Sequence, residues 1–217
     1  MNALSRLLLF SLVLPTVGSV ERVASRISSQ PASQSPSQPT QWQSYRSILG
    51  EGRRLASQGR YREAADRFGE GYREALSGGD RRAAARFLVN LANAHLSLYQ
   101  YRQAMETYLE ARRLAASSGA EDLLAALPVN IAWLYRVQGA LREAEAELRR
   151  AWAEARSDWS PEALLLLAEL RFEQGDPNEA ADLFQEALAR AEQGSGTVSS
   201  AHLLERYGDM LLRAGDL

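Results

Sequence analysis

The sequence predicts an all-α fold, an array of stacked helix pairs, on three observations. A block Q-G-x-x-x-E-A recurs as Gln58-Gly59-Arg60-Tyr61-Arg62-Glu63-Ala64, Gln138-Gly139-Ala140-Leu141-Arg142-Glu143-Ala144 and Gln174-Gly175-Asp176-Pro177-Asn178-Glu179-Ala180. A degenerate copy, Tyr99-Gln100-Tyr101-Arg102-Gln103-Ala104, lies between the first two. Their alanines fall at 64, 104, 144 and 180, giving steps of 40, 40 and 36 residues. Periods of that size mark repeats that bury their apolar faces only against neighbours. Glycine and proline signals punctuate the chain between these blocks, where helices should stop and start.

The first element is an address. Residues 1–19 read as a secretory signal: Arg6, then the apolar run Leu7-Leu8-Leu9-Phe10-Ser11-Leu12-Val13-Leu14, then Pro15 and small residues Val17-Gly18-Ser19 before a cleavage site. The run is shorter than the roughly 20 residues that span a bilayer, so cleavage is expected, with a membrane tether by an uncleaved signal as the alternative. Residues 20–42 follow as a linker dominated by Ser, Gln and Pro, expected to be disordered because it has almost no apolar side chains to bury.

The array should then occupy 43–217. The first pair covers about 43–78, helices 43–57 and 61–77, stopped by Gly78-Gly79. The second covers 80–118, helices 81–98 and 102–117, closed by Gly119. The third covers 120–158, and within it Leu127, Ile131, Leu134 and Tyr135 recur three to four apart, as a buried helical stripe requires. The fourth covers 160–194 and opens on Ser160-Pro161, a side-chain cap followed by proline in the first turn. Gly194-Ser195-Gly196 breaks the array before a last helix at 200–214.

Small residues recur where helices should cross closely. They are Gly52, Ala92, Ala132, Ala168 and Gly208 on first helices, and Ala64, Ala104, Ala144 and Ala180 on second ones. After each second-helix alanine comes an aromatic or leucine four residues on (Phe68, Tyr108, Leu148, Phe184). A small residue follows three later (Gly71, Ala111, Ala151, Ala187).

Composition excludes several chemistries. Hydrophobic residues make up 46% and charged residues 24%, an ordinary globular balance. All 25 basic residues are arginine, so no lysine is present for a Schiff base or a phosphate-binding loop. The absence of cysteine removes thiol nucleophiles, disulfides and thiolate metal sites. A formal charge of −2 argues against nucleic acid as the main partner. Arginine and acidic residues alternate along the helices, as in Glu145 with Arg149 and Arg150 with Glu154, and predict a solvated, salt-bridged face. Of the two histidines, His95 is expected to pack between helices and His202 to be exposed; no metal-ligand pattern joins them.

The small-aromatic-small spacing after Q-G-x-[YL]-x-E-A resembles the tetratricopeptide repeat family over about 43–217. The 40-residue step is similar to the long-helix variety of kinesin light chain, most of all in Val129-Asn130-Ile131-Ala132-Trp133-Leu134-Tyr135-Arg136-Val137-Gln138-Gly139. Departures are Tyr99-Gln100 in place of Gln-Gly and Pro177 in place of the aromatic. The resemblance implies a right-handed superhelical α-solenoid whose first helices line a concave, peptide-binding groove.

By matching positions, that groove would present Arg53, Arg86, Asn90, Asn93, Asn130, Trp133 and Arg136. Asn90 and Asn130 occupy one place in successive repeats, and an amide that both donates and accepts can pair with a peptide backbone whatever its side chains; the alternative is that they cap turns or face water. Trp133 could be an interface anchor or pack within the array. The three arginines and the acidic set Glu162, Glu169, Glu205 and Asp209 would make the groove's charge asymmetric. The lysines of the family's carboxylate clamp are missing.

The leading expectation is an exported, non-enzymatic scaffold that binds a peptide or protein and needs no cofactor, metal or nucleic acid. The alternative is the regulatory front end of a larger secreted hydrolase, its peptidase-type domain lying beyond Leu217. The chain stops where a fifth second helix would be expected to begin, so either the last helix is a lone cap or this is the front part of a longer protein. Self-association through that helix is a further expectation.

Overall fold

The computed structural model describes residues 38–155, 159–194 and 198–215. The expected signal at 1–19 and the linker as far as residue 37 lie outside the described residues. Nine α-helices occupy what is described: α1 (Gln38–Ser57), α2 (Tyr61–Ser77), α3 (Arg81–Ser97), α4 (Tyr101–Ser118), α5 (Glu121–Val137), α6 (Leu141–Ala155), α7 (Pro161–Glu173), α8 (Pro177–Glu192) and α9 (Ser200–Gly215). The fold is all-α, built from helix pairs.

α1 starts within the stretch expected to be linker. Pro39 suits a first turn because its missing N–H has no helical partner there. Gln41 Nε2 donates to Tyr45 Oη at 2.6 Å, and Trp42 meets the Tyr45 ring edge-on at 6.0 Å. These contacts extend the helix back past the expected boundary.

Between the helices of each pair the chain turns through a residue with positive φ. Gly59, Gly139 and Gly175 fill that place in three pairs, a conformation that costs glycine nothing and other residues roughly 1–2 kcal/mol. In the second pair the residue is Tyr99, with φ 61°. The sequence alignment therefore shifts by one: Tyr99 replaces the glycine itself, and Leu98 the glutamine. Caps are equally local. Asp80 Oδ1 accepts from Ala83 N at 2.8 Å, Ser160 Oγ from Ala163 N at 3.2 Å, and Asp176 Oδ1 from Glu179 N at 3.1 Å. Pro177, a departure from the repeat pattern, is the first residue of α8 behind its Asp176 cap, where proline is favoured.

The chain divides into two compact bodies, one up to Leu123 and the other from Leu124. In the first, α1, α2, α3 and α4 pack each on the next in sequence, around Tyr45, Ile48, Phe68 and Phe87. Gly52 is a true close approach: a Cβ there would fall on the Phe68 ring, 2.8 Å from Cδ1. In the second, α6 packs on α7, α7 on α8 and α8 on α9. Val129, Ala132, Leu148, Leu166, Leu167 and Leu170 make its core. Gly208, expected at a close crossing, has no atom of the described residues within 4 Å of its Cβ position. Pro128 lies inside α5, and without an N–H it leaves the Leu124 carbonyl short of its helical donor.

Candidate functional site

The seven expected site residues fall into two groups, one in each body. In the first, α1 and α3 bring Arg53 beside Arg86, close enough that burial and, after it, the Arg86 charge push the Arg53 guanidinium below its usual value. The Nε atoms of both are buried without hydrogen-bond partners. Arg86 Nη2 reaches Asp122 Oδ2 at 2.9 Å, and Arg82 takes the other carboxylate oxygen at 2.8 Å.

One helical turn on from Arg86, buried Asn90 donates from Nδ2 to the Arg86 carbonyl at 2.8 Å. Asn93 is turned inward: its Oδ1 accepts the hydroxyl of Tyr108. Burial raises that phenol's pKa, so it stays a donor. His95 Nδ1 lies 2.7 Å from Gln100 Oε1 beside the turn, a local structural contact.

In the second body, α5 carries Asn130, Trp133 and Arg136 at three-residue spacing, on one side of the helix. Asn130 is 1% exposed, yet among the described residues neither its Oδ1 nor its Nδ2 has a hydrogen-bond partner. The buried Nε1 of Trp133 also lacks one, and the Arg136 guanidinium sits 4.7 Å from the Trp133 ring centroid. Unpaired buried amides cost about 1–3 kcal/mol each. Asn90 and Asn130 thus share a register but not a hydrogen-bonding state.

Arg136 does not extend a basic end. It forms ion pairs with Glu169 Oε2 at 2.7 Å and Glu173 Oε1 at 2.6 Å, and Arg206 Nε donates to Glu169 at 2.7 Å. The side chains of Arg136 and Glu169 are only 11% and 8% exposed. Burial disfavours the Arg136 charge, but the two carboxylates hold its pKa above the ordinary value. This network, with Phe172, Asp209, Met210, Leu212 and Arg213, lines a cavity of about 330 Å³, and Arg213 lies 5.4 Å over the Phe172 ring.

Arg149 pairs with Glu145 at 2.6 Å as the helical spacing predicts, but Arg150 pairs with Glu147, and the Glu154 side chain lies outside the described residues. Partial burial disfavours the Glu145 charge, but hydrogen bonds from Arg149 and Gln174, with the Arg171 and Arg149 charges, hold its pKa below the usual carboxylate value. His202, expected to be exposed, has a side chain 17% exposed, with Nδ1 3.6 Å from Glu205.

Glu173, Met210 and Arg213 are absent from the groove that the sequence predicts. The signal that could have found Glu173 is opposite charge at one repeat spacing, seen in Arg136 with Glu173 as in Glu169 with Arg206. Among the described residues no cluster of three His, Cys, Asp or Glu side chains could hold a metal, and no helix is long and apolar enough to cross a membrane.

Residues 135–202 match the family profile described as Tetratricopeptide repeat, and with the observed helix pairs this supports a fold of that type. Among solved structures the chain is similar to the crystal structure of a thermophilic TPR protein from Thermus thermophilus. The two are 23% identical, over 77% of this chain and 99% of that one, with a TM-score of 0.47. No curated protein matches the sequence significantly.

Proposed function

We propose that the protein is a non-enzymatic scaffold that holds an extended peptide segment of a partner protein against the first helices of its pairs. One observation carries the reading. Asn130 is buried with both amide atoms unpaired, and the Trp133 Nε1 one turn on is unpaired as well. A peptide backbone offers the donor and acceptor that such an amide lacks. Asn90, already bonded to the Arg86 carbonyl, keeps its Oδ1 for the same use. The finer likeness to kinesin light chain repeats belongs to this proposal and is supported by the 40-residue alanine steps. Export belongs to it too, on the strength of residues 1–19.

Selection of random peptides displayed on phage against the full chain tests the binding. The expected result is an enriched set whose affinity falls at least tenfold with Asn130→Ala or Trp133→Ala. No enrichment, or binders indifferent to both substitutions, would refute it. Amino-terminal sequencing of the exported protein tests cleavage after Ser19.

A further inference from the structure

The first body holds a charge cluster that its own residues leave unbalanced. Arg53 of α1 stands beside Arg86 of α3, and Arg86 shares the one carboxylate of Asp122 with Arg82. Both oxygens of that carboxylate are taken, one by Arg82 at 2.8 Å and the other by Arg86 at 2.9 Å. Among the described residues no carboxylate pairs with Arg53. Three guanidiniums against one carboxylate leave the cluster with two positive charges.

An unpaired arginine on a surface is ordinary, because water and salt screen it. Arg53 differs in two respects. It is half-buried, and the charge that acts on it is a like one, that of Arg86. The Nε atoms of both side chains are also buried without an acceptor. Their stems are therefore packed, which fixes the planar forks before anything binds and leaves the Nη ends to receive a ligand. Arg86 keeps 32% of its side chain exposed for that purpose.

We propose that Arg53 and Arg86 form a seat for a phosphate dianion, held between the two guanidinium forks. The charge count selects the ligand. A phosphate group brings close to two negative charges and three acceptor oxygens, which offsets the surplus and lets one group meet two forks at once. A carboxylate brings one charge and two oxygens, as Asp122 does, and would leave the cluster cationic. The seat lies in the first body, whereas Asn130 and Trp133 belong to the second, so it holds or fails independently of the peptide reading.

Inorganic phosphate titrated into the full chain at fixed ionic strength, followed by calorimetry, tests the seat. Affinity should fall roughly tenfold in Arg53→Gln and stay unchanged in Arg54→Gln, the exposed arginine next along α1. Arg53→Gln takes a cation from beside another, so without phosphate its melt should match or exceed that of the parent chain. Dimethyl phosphate and acetate, each with a single charge, should bind the parent chain roughly tenfold more weakly than phosphate. A phosphoserine peptide that binds tighter than inorganic phosphate would make the ligand a modified partner protein, and one that binds no tighter would make it free phosphate. No saturable phosphate binding, undiminished binding in Arg53→Gln, or acetate binding as tightly as phosphate would each overturn the inference.

Discussion

Two glycines on α2 should answer the same substitution with opposite signs. A Cβ at Gly69 would meet only the flexible end of Arg73, at 3.6 Å. Gly69→Ala therefore gains helix propensity, about 0.5–1 kcal/mol, at no steric cost. At Gly71 the new carbon would lie 2.6 Å from Cδ1 of Phe87 and nearer still to Cε1 and Cζ. Comfortable carbon contacts are about 3.5–4.0 Å, so that ring would have to retreat by about 1 Å or more.

The Phe87 ring cannot retreat cheaply. It is fully buried and meets Tyr45 edge-on at 5.8 Å. Overpacking typically costs about 1–3 kcal/mol, and loss of the ring contact adds about 0.5–1.5 kcal/mol. Less the propensity gain, Gly71→Ala should destabilise by about 2 kcal/mol, roughly 10 °C of melting temperature for a body of this size. Circular-dichroism melts and urea titrations of the two variants would measure it. Phe87→Leu in the Gly71→Ala chain should recover part of the loss, a non-additivity expected of residues in contact. If Gly71→Ala melts at or above the parent, as Gly69→Ala should, the close approach of α2 to α3 is wrong.

Further predictions concern charge and backbone. Glu169→Ala strands Arg136 and Arg206 without their shared carboxylate and should cost about 3 kcal/mol by urea titration, whereas Glu63→Ala at the exposed Arg60 pair should leave the melt unchanged. Tyr72 donates to Glu110 at 2.7 Å, and that bond and then burial push its phenol up to about 12. Its folded pKa is the higher one, so its contribution is complete below about pH 10 and fades as pH rises toward about 12; Tyr72→Phe should flatten the fall in stability across that window. Tyr99→Gly should hold stability or gain up to about 1 kcal/mol despite losing a ring, while Gly139→Ala, at φ 77°, should lose about 1 kcal/mol in the same melt.

Helix positions were legible because their signals are local. A glycine turn, an Asp or Ser cap and a proline in a first turn act within a few residues, and Ser160-Pro161 works in the structure as it reads on paper. The seat at Gly52 was legible from the repeat, but the same reasoning put a crossing at Gly208, where a neighbour is required that the described residues do not supply. The charges were harder. A helix-face reading pairs residues four apart, whereas Arg136 finds Glu173 and Glu169 finds Arg206 on another first helix, one repeat away. Residue identity could not separate Asn90 from Asn130, since each has a backbone carbonyl four residues back and only the Asn90 amide is turned onto it.

Pro128 has a kinetic consequence. In a stacked array an unfolding front advances from helix to helix, and it slows wherever the next step breaks many interactions. The carbonyl left without its donor belongs to Leu124, where the second body begins. Amide exchange along α5 should therefore change abruptly near that rung, residues 121–123 exchanging with the first body and residues 129–137 with the second. Under tension, the array would yield in two strokes.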